Sequence, residues 1–135
     1  MGRTAILLNP AAGRGRVKNE IGRLENRLEY YRLDCDIFES KRPSHLPRLA
    51  AEKARVYEVI VGVGGDGTFN VIINELMKQE NENIFGMVSL GSQNDIGKEF
   101  GVDSLEKACF AIKSGVTKQV DLGILTADNS DPSYF

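Results

Sequence analysis

A glycine-rich turn set between a strand-like run and a helical stripe constrains this chain more than any other feature. Residues 57–61 are a short, largely β-branched run that reads as a buried strand. Gly62, Gly64, Gly65, Asp66, Gly67 and Thr68 follow at once. Behind them Phe69, Ile72, Ile73, Leu76 and Met77 fall at i, i+3, i+4, i+7 and i+8, the spacing of a helix with one face in a core. The order is therefore strand, glycine turn, helix. Glycines let a ligand approach the backbone with no Cβ in the way. The first N–H groups of a helix have no partner inside it and sit at the positive end of the dipole, which makes such a turn an anion site. Asp66 repels a bare phosphate, so it either meets phosphate through a divalent cation or caps the helix.

The same alternation runs through the rest of the chain. Residues 4–8 predict a buried strand, ending at a turn (9–16) with Gly13, Arg14, Gly15 and Arg16. Val17, Ile21, Leu24, Leu28 and Tyr31 then mark a helix. Leu33, Cys35 and Ile37 alternate with acids, as in a strand near an edge. Ser44 is the expected N-cap of a further helix with Pro47 in its first turn and Leu46, Leu49, Ala50 and Ala54 inward. Residues 84–90 predict a strand that delivers the chain to Gly91, Ser92, Gln93, Asn94 and Asp95. One or two helical turns over 96–100 end at Gly101. Asp103, Ser104, Leu105 and Glu106 read as a capping box for a helix that stops at Gly115. Residues 117–125 predict a last strand, and Tyr134 and Phe135 the opening of another.

Alternating strands and helices predict an α/β domain with a mainly parallel sheet covered on both faces, its strands near 4–8, 57–63 and 84–90 parallel and central. Three glycine-bearing turns, at 9–16, 62–68 and 91–95, leave strand carboxyl ends, the edge where open α/β sheets bind ligands. Their convergence on one ligand is the functional expectation. With 135 residues and a net charge of -2, the chain has room for one such domain and no global bias toward nucleic acid. Apolar runs are too short to span a bilayer, and no leader segment is expected, so the expected location is cytoplasmic. Cys35 and Cys109 read as small buried apolar residues. His45 reads as a surface residue, and no Ser–His–Asp set or zinc spacing is present.

Taken singly, each turn has a plain reading. Arg14 and Arg16 are either phosphate partners or solvated charges. No Lys–Ser/Thr ending makes the first turn a Walker loop, and no acid follows spaced glycines as in a dinucleotide fingerprint. Asp95 lies near the same edge as Asp66, and Asp121, between Val120 and Leu122, is a third acid on either the site or the solvent side.

Together the turns resemble a known family. Asn9–Pro10–x–x–Gly13, then Gly64–Gly65–Asp66–Gly67–Thr68, then Gly91–Ser92–x–Asn94–Asp95 are similar, in order and separation, to the diacylglycerol kinase catalytic-domain family, which includes bacterial lipid, sphingosine and ceramide kinases. The second motif is shared with NAD kinases and phosphofructokinases; the other two select the lipid-kinase branch. The likeness covers nearly the whole chain, as the amino-terminal nucleotide-binding domain, and implies a three-layer, Rossmann-like α/β/α fold.

The resemblance implies phosphoryl transfer from ATP to a lipid hydroxyl, of diacylglycerol or sphingoid type, with magnesium as cofactor. Asn9, Pro10, Ala11, Ala12 and Gly13 would form the first ATP loop, and Ser40 stands where a threonine commonly meets the nucleotide. Gly64, Gly65, Gly67, Thr68, Phe69 and Asn70 would wrap the phosphates; Asp66 would hold magnesium directly or through water. Ser92 and Asn94 would complete the nucleotide site, and Asp95 and Asp121 would join Asp66 in an acidic network around magnesium-bound water. Two positions depart from the family: Val71 replaces a Glu, and Gln93 a small residue. Residues 1–118 would be the nucleotide-binding domain and 119–135 the entry to a carboxy-terminal β-sandwich that supplies the general base and lipid pocket. Nucleotide and lipid are the implied partners, with peripheral membrane contact, and the isolated chain is expected to be inactive. The competing expectations are an NAD kinase-like enzyme and a nucleotide-binding module without catalysis.

Overall fold

The computed structural model describes residues 3–79, 82–90, 95–120, 122–125 and 133–134. Two strands form its centre, β1 (Thr4–Leu8) and β3 (Val59–Gly64), and every residue of both is buried. Such near-continuous apolar runs belong to strands covered on two faces. β2 (Cys35–Glu39) lies outside β1, and β4 (Ile84–Ser89) outside β3, giving the order β2-β1-β3-β4. All three pairings are parallel; Ile6 stands opposite Ile37 and Val61, and Val61 opposite Gly86.

Alternation along the strands divides the core into two layers. Ile6, Leu8, Val61 and Val63 face α1 (Arg16–Tyr30) and α5 (Leu105–Ser114), meeting Val17, Leu24, Leu28, Leu105 and Cys109. Ala5, Leu7 and Ile60 face α2 (His45–Ala54) and α3 (Asp66–Lys78), meeting Leu46, Leu49, Ile72 and Leu76. The α/β/α layering and the parallel pairing of the three expected strands are as the sequence predicts, but only β1 and β3 are central. β4 forms an edge among the described residues, because the segment expected to follow it does not pair onto its outer side. α3 lies close on β3 because Gly62 lacks a side chain: a Cβ there would sit 2.8 Å from the Ile72 Cδ1.

Helix ends differ from expectation in two places. Ser44 is the N-cap residue of α2 as expected, but its side chain makes no capping bond; its hydroxyl accepts from Arg42 Nε at 3.1 Å, and the Lys41 N–H donates to His45 Nδ1 at 3.0 Å. The α5 cap is Ser104 rather than Asp103, accepting the Lys107 N–H at 3.2 Å. With the cap moved by one residue Glu106 cannot close the box. It pairs with Arg27 of α1 at 2.9 Å and accepts from the Tyr31 hydroxyl at 3.3 Å. α4 (Asp95–Glu99) ends at Gly101 and α5 at Gly115, both in the left-handed region at φ 70°.

The expected last strand is not in the main sheet. Residues 116–120 are exposed and pair with no described strand. Among the described residues of this segment only β5 (Ile124–Leu125) is a strand, joined antiparallel to β6 (Ser133–Tyr134) in a separate two-stranded sheet. Lys118 interrupts the alternating series Val116, Val120, Leu122, so this segment has no continuous apolar face to drive it against β4.

Candidate functional site

The chain runs from β1 outward to β2 and then returns across it to β3, so the connections diverge between β1 and β3. At the carboxyl ends of such a pair two turns face each other across a crevice. The Asn9 N–H extends the pairing to the Val63 carbonyl at 3.3 Å, and the Asn9 Nδ2 donates to Thr68 Oγ1 at 3.2 Å. The first and second turns are thereby tied together. Thr68 is buried over Gly64, where a Cβ would lie 2.5 Å from its Oγ1, so this glycine is what lets the hydroxyl reach Asn9.

The first turn carries three consecutive left-handed residues: Gly13 at φ 64°, Arg14 at 58° and Gly15 at 86°. Glycine takes this conformation freely, but Arg14 bears a penalty of about 1–2 kcal/mol. Strain of this kind concentrates at ligand sites. Arg14 and Arg16 are exposed and, among the described residues, form no ion pair.

Between the turns lies a cleft of about 380 Å³, bounded by Asn9, Ala12 and Gly13 on one side and Gly65, Asp66, Gly67 and Thr68 on the other. Pro43 and Leu46 contribute its apolar wall, and Val71 its rim. No side chain caps α3, so its leading N–H groups remain without an intrahelical partner at this cleft. A larger trough of about 1440 Å³ meets the cleft at Asp66 and Gly67 and runs between α3, β4 and α5 past Asn70, Ile73, Phe85 and Ile112.

Asp66 does not cap its own helix. Its Oδ2 accepts the Asp95 N–H at 3.1 Å and its Oδ1 the Ile96 N–H at 3.3 Å, so it holds the start of α4. The Leu90 N–H donates to the Gly64 carbonyl at 2.7 Å, which keeps the exit of β4 beside that of β3. The second turn is thus bonded to the far side of the third. The carboxylate still has lone pairs to spare, since it offers about four and two N–H groups take one each. Among the described residues no three Asp, Glu, His or Cys side chains group as a metal cage.

The predicted residues divide accordingly. Asn9, Ala12, Gly13, Gly65, Asp66, Gly67 and Thr68 meet at the cleft, while Pro10 and Ala11 form the outer part of its first turn. Phe69 is fully buried and edge-on to Phe85 at 6.1 Å, so its side chain supports the turn from behind. Ser40, buried at the end of β2, ties its N–H to the Leu8 carbonyl at 2.9 Å and lies outside the cleft lining. Asn70 faces the trough, and the Asp95 residue is exposed at the start of α4. Ser92, Asn94 and Asp121 fall outside the described residues, as do Gly91 and Gln93.

Two residues had no sequence-based role. Ser89 is buried at the end of β4, its hydroxyl without a hydrogen-bond partner among the described residues and packed so closely on Gly97 of α4 that a Cβ there would overlap it. Asn74 lies in the middle of α3 on a polar face with Asn70 and Lys78, and its poor helix propensity there was its only signal. Cys109 is inert, with burial pushing its thiol up to about 11, and burial also raises Cys35.

Residues 3–125 match the family model described as the diacylglycerol kinase catalytic domain. Among curated proteins, the chain is 27% identical over 126 residues to a diacylglycerol kinase of Bacillus subtilis (strain 168), covering 91% of this chain and 42% of the relative. It is 30% identical over 121 residues to a diacylglycerol kinase of Staphylococcus haemolyticus, covering 87% and 36%. A crystal structure of a diacylglycerol kinase from Bacillus anthracis str. Sterne superposes with a TM-score of 0.78 at 25% identity, over 89% of this chain and 42% of that one. The chain therefore spans about two fifths of the length of these relatives, between 36 and 42%. Among the described residues no helix is long and apolar enough to cross a membrane.

Proposed function

The chain belongs to the diacylglycerol kinase catalytic-domain family, and from that premise we propose that it is the nucleotide-binding part of a lipid kinase that transfers the γ-phosphoryl group of ATP to a lipid hydroxyl. The observation that carries this reading is the lacing of the turns, with Asn9 bonded to Thr68 and Asp66 to the start of α4 around the uncapped end of α3. N–H groups on the Gly65–Thr68 side of the cleft would receive phosphate oxygens, and Gly13 and Gly67 would let the backbone approach them. Asn9 to Gly13 would form the opposite wall, with Ser40 behind, and Gly64 and Phe69 would hold the turn in shape. Ser92 and Asn94 would close the third side.

Magnesium fits this site as an ion held mainly by the nucleotide. It keeps several waters and takes one or two carboxylates plus phosphates, rather than an all-protein cage. Asp66 would hold it directly or through water, and Asp95 and Asp121 would orient that water. When bound, it neutralises charge on the phosphoryl group being transferred. Asp66 would fix the position of that charge, and the α3 N–H groups would add to its stabilisation without having to reorganise.

Residues 119–135 would lead toward a further domain supplying the general base and the lipid pocket, with peripheral contact to a membrane. A nucleotide-binding module without turnover is the second reading, favoured by Val71 on the cleft rim, which places no charge there. Titration of the chain with ATP and, separately, with NAD, each with magnesium, tests the nucleotide site. ATP binding in the millimolar range or tighter, with NAD weaker, is expected. Preference for NAD, or no response to millimolar ATP, contradicts the reading.

A further inference from the structure

Asp66, Asn70 and Asn74 stand at i, i+4 and i+8 on α3, hence on one face of the helix. The last of them makes an uncommon contact. Its Oδ1 accepts the Tyr134 N–H at 2.7 Å, and its Nδ2 donates to the Tyr134 carbonyl at 3.0 Å. A carboxamide carries its donor and acceptor side by side, as a peptide group does, so Asn74 meets β6 as a neighbouring strand would. In an antiparallel strand the N–H and C=O of one residue point the same way. Those of Tyr134 are turned to Asn74, while β6 pairs with β5 along its other edge. The same Nδ2, which has two hydrogens, also lies 2.7 Å from the Asn70 carbonyl and 2.8 Å from Asn70 Oδ1, so one hydrogen is shared between acceptors. One side chain thus fastens a hairpin from 60 residues away and holds the side chain one turn nearer to Asp66. Asn is a poor choice for a helix interior on propensity alone.

We propose that Asn74 is a positioning residue: it clamps the β5–β6 hairpin onto the Asp66 face of α3, about 12 Å along the helix from Asp66 at 1.5 Å per residue. The clamp sets how the hairpin, and whatever it carries, stands relative to the phosphate turn. Only this consequence rests on the kinase reading; the docking does not.

Site-resolved amide exchange of the whole chain tests it. In Asn74→Ala the Tyr134 amide should exchange at least tenfold faster, while the Ile60 and Val61 amides in β3 keep their wild-type rates. Asn74→Asp keeps the size but sets a carboxylate oxygen, with no hydrogen to give, against the Tyr134 and Asn70 carbonyls, and should raise Tyr134 exchange as well. If Asn74→Ala does not fold, Asn74→Ser, too short to reach both groups, takes its place with the same expected outcome. Unchanged Tyr134 exchange in the truncated variant overturns the proposal. So does a rise shared by the β3 amides, or an Asp variant whose Tyr134 amide stays as protected as in the wild-type chain. Failure of the wild-type chain to bind ATP would sink the nucleotide reading alone, because the exchange experiment needs no ligand.

Discussion

The Asp66 carboxylate, on the first turn of α3, accepts the backbone N–H of Asp95, the first residue of α4, at 3.1 Å. This bond makes Asp66 a cap for a helix 29 positions away and a wall of the cleft at the same time. A structural role and a ligand role are therefore both open to it, and they differ in what they predict.

Stability separates Asp66 from its own helix. Leu76→Ala, deep in the α2–α3 layer, should cost about 2–5 kcal/mol. Asp66→Ala removes a cap and should cost about 0.5–2 kcal/mol. Thermal melts of the two variants check this, and a larger loss for Asp66→Ala would make the carboxylate chiefly structural.

Two glycines of the turn should behave in opposite ways. Gly64→Ala drives a Cβ into Thr68 and should destabilise by about 1–3 kcal/mol through overpacking. A Cβ on Gly67 meets nothing within 4 Å, and alanine in a helix is favoured by about 0.5–1 kcal/mol, so Gly67→Ala should fold as well as wild type or better. If Gly67 admits phosphate, that folded variant loses ATP affinity. Melts paired with nucleotide titration check both, and full ATP affinity in Gly67→Ala would remove the close-approach role.

Thiol labelling reports on the buried layer beneath α5. Cys109, with its thiol pushed up to about 11, should resist alkylation at pH 8 in the native chain and react once the chain is unfolded. Half-buried Cys35 should react at an intermediate rate. Native labelling of Cys109 as fast as a free thiol would mean that α5 is not packed as described.

Much of this was legible before any coordinates. β1 and β3 announce themselves as apolar runs, and α1 and α3 by stripes most of whose members pack in the core, although Ile73 lines the trough and Met77 at the end of its stripe stays exposed. What failed was local chemistry with more than one solution. Ser104 and Asp103 are both good caps one residue apart, and packing against Arg27 and Tyr31 took Glu106 away from the box. The segment 117–125 has strand-forming residues but no apolar face. At the site, the convergence of turns was readable, whereas the partner of Asp66 was not. A carboxylate at a helix start looks like a cap for that helix, and only the parallel pairing of β3 with β4 brings α4 within its reach. Asn74 was hidden for the same reason, since its partner is a backbone group 60 residues on.

Turnover should be absent from the 135 residues alone. In the proposed function the cleft would supply phosphate contacts, while the base and lipid pocket would come from elsewhere. Incubation with labelled ATP and diacylglycerol vesicles checks this, and labelled lipid above background would show that the chain carries its own base.

The magnesium dependence of ATP affinity tests the central claim about Asp66 most directly. Asp66→Asn keeps size but removes the charge and one of the two acceptors for the N–H groups of α4. Wild type and variant are therefore each titrated with and without magnesium, which separates the metal contribution from the lost bond. A charge-assisted contact of about 1.5–3 kcal/mol corresponds to roughly tenfold or more in affinity. Magnesium should strengthen ATP binding about tenfold in the wild-type chain and by less than about threefold in Asp66→Asn. An equal gain from magnesium in both proteins would contradict it, leaving Asp66 as the cap of α4 and nothing more.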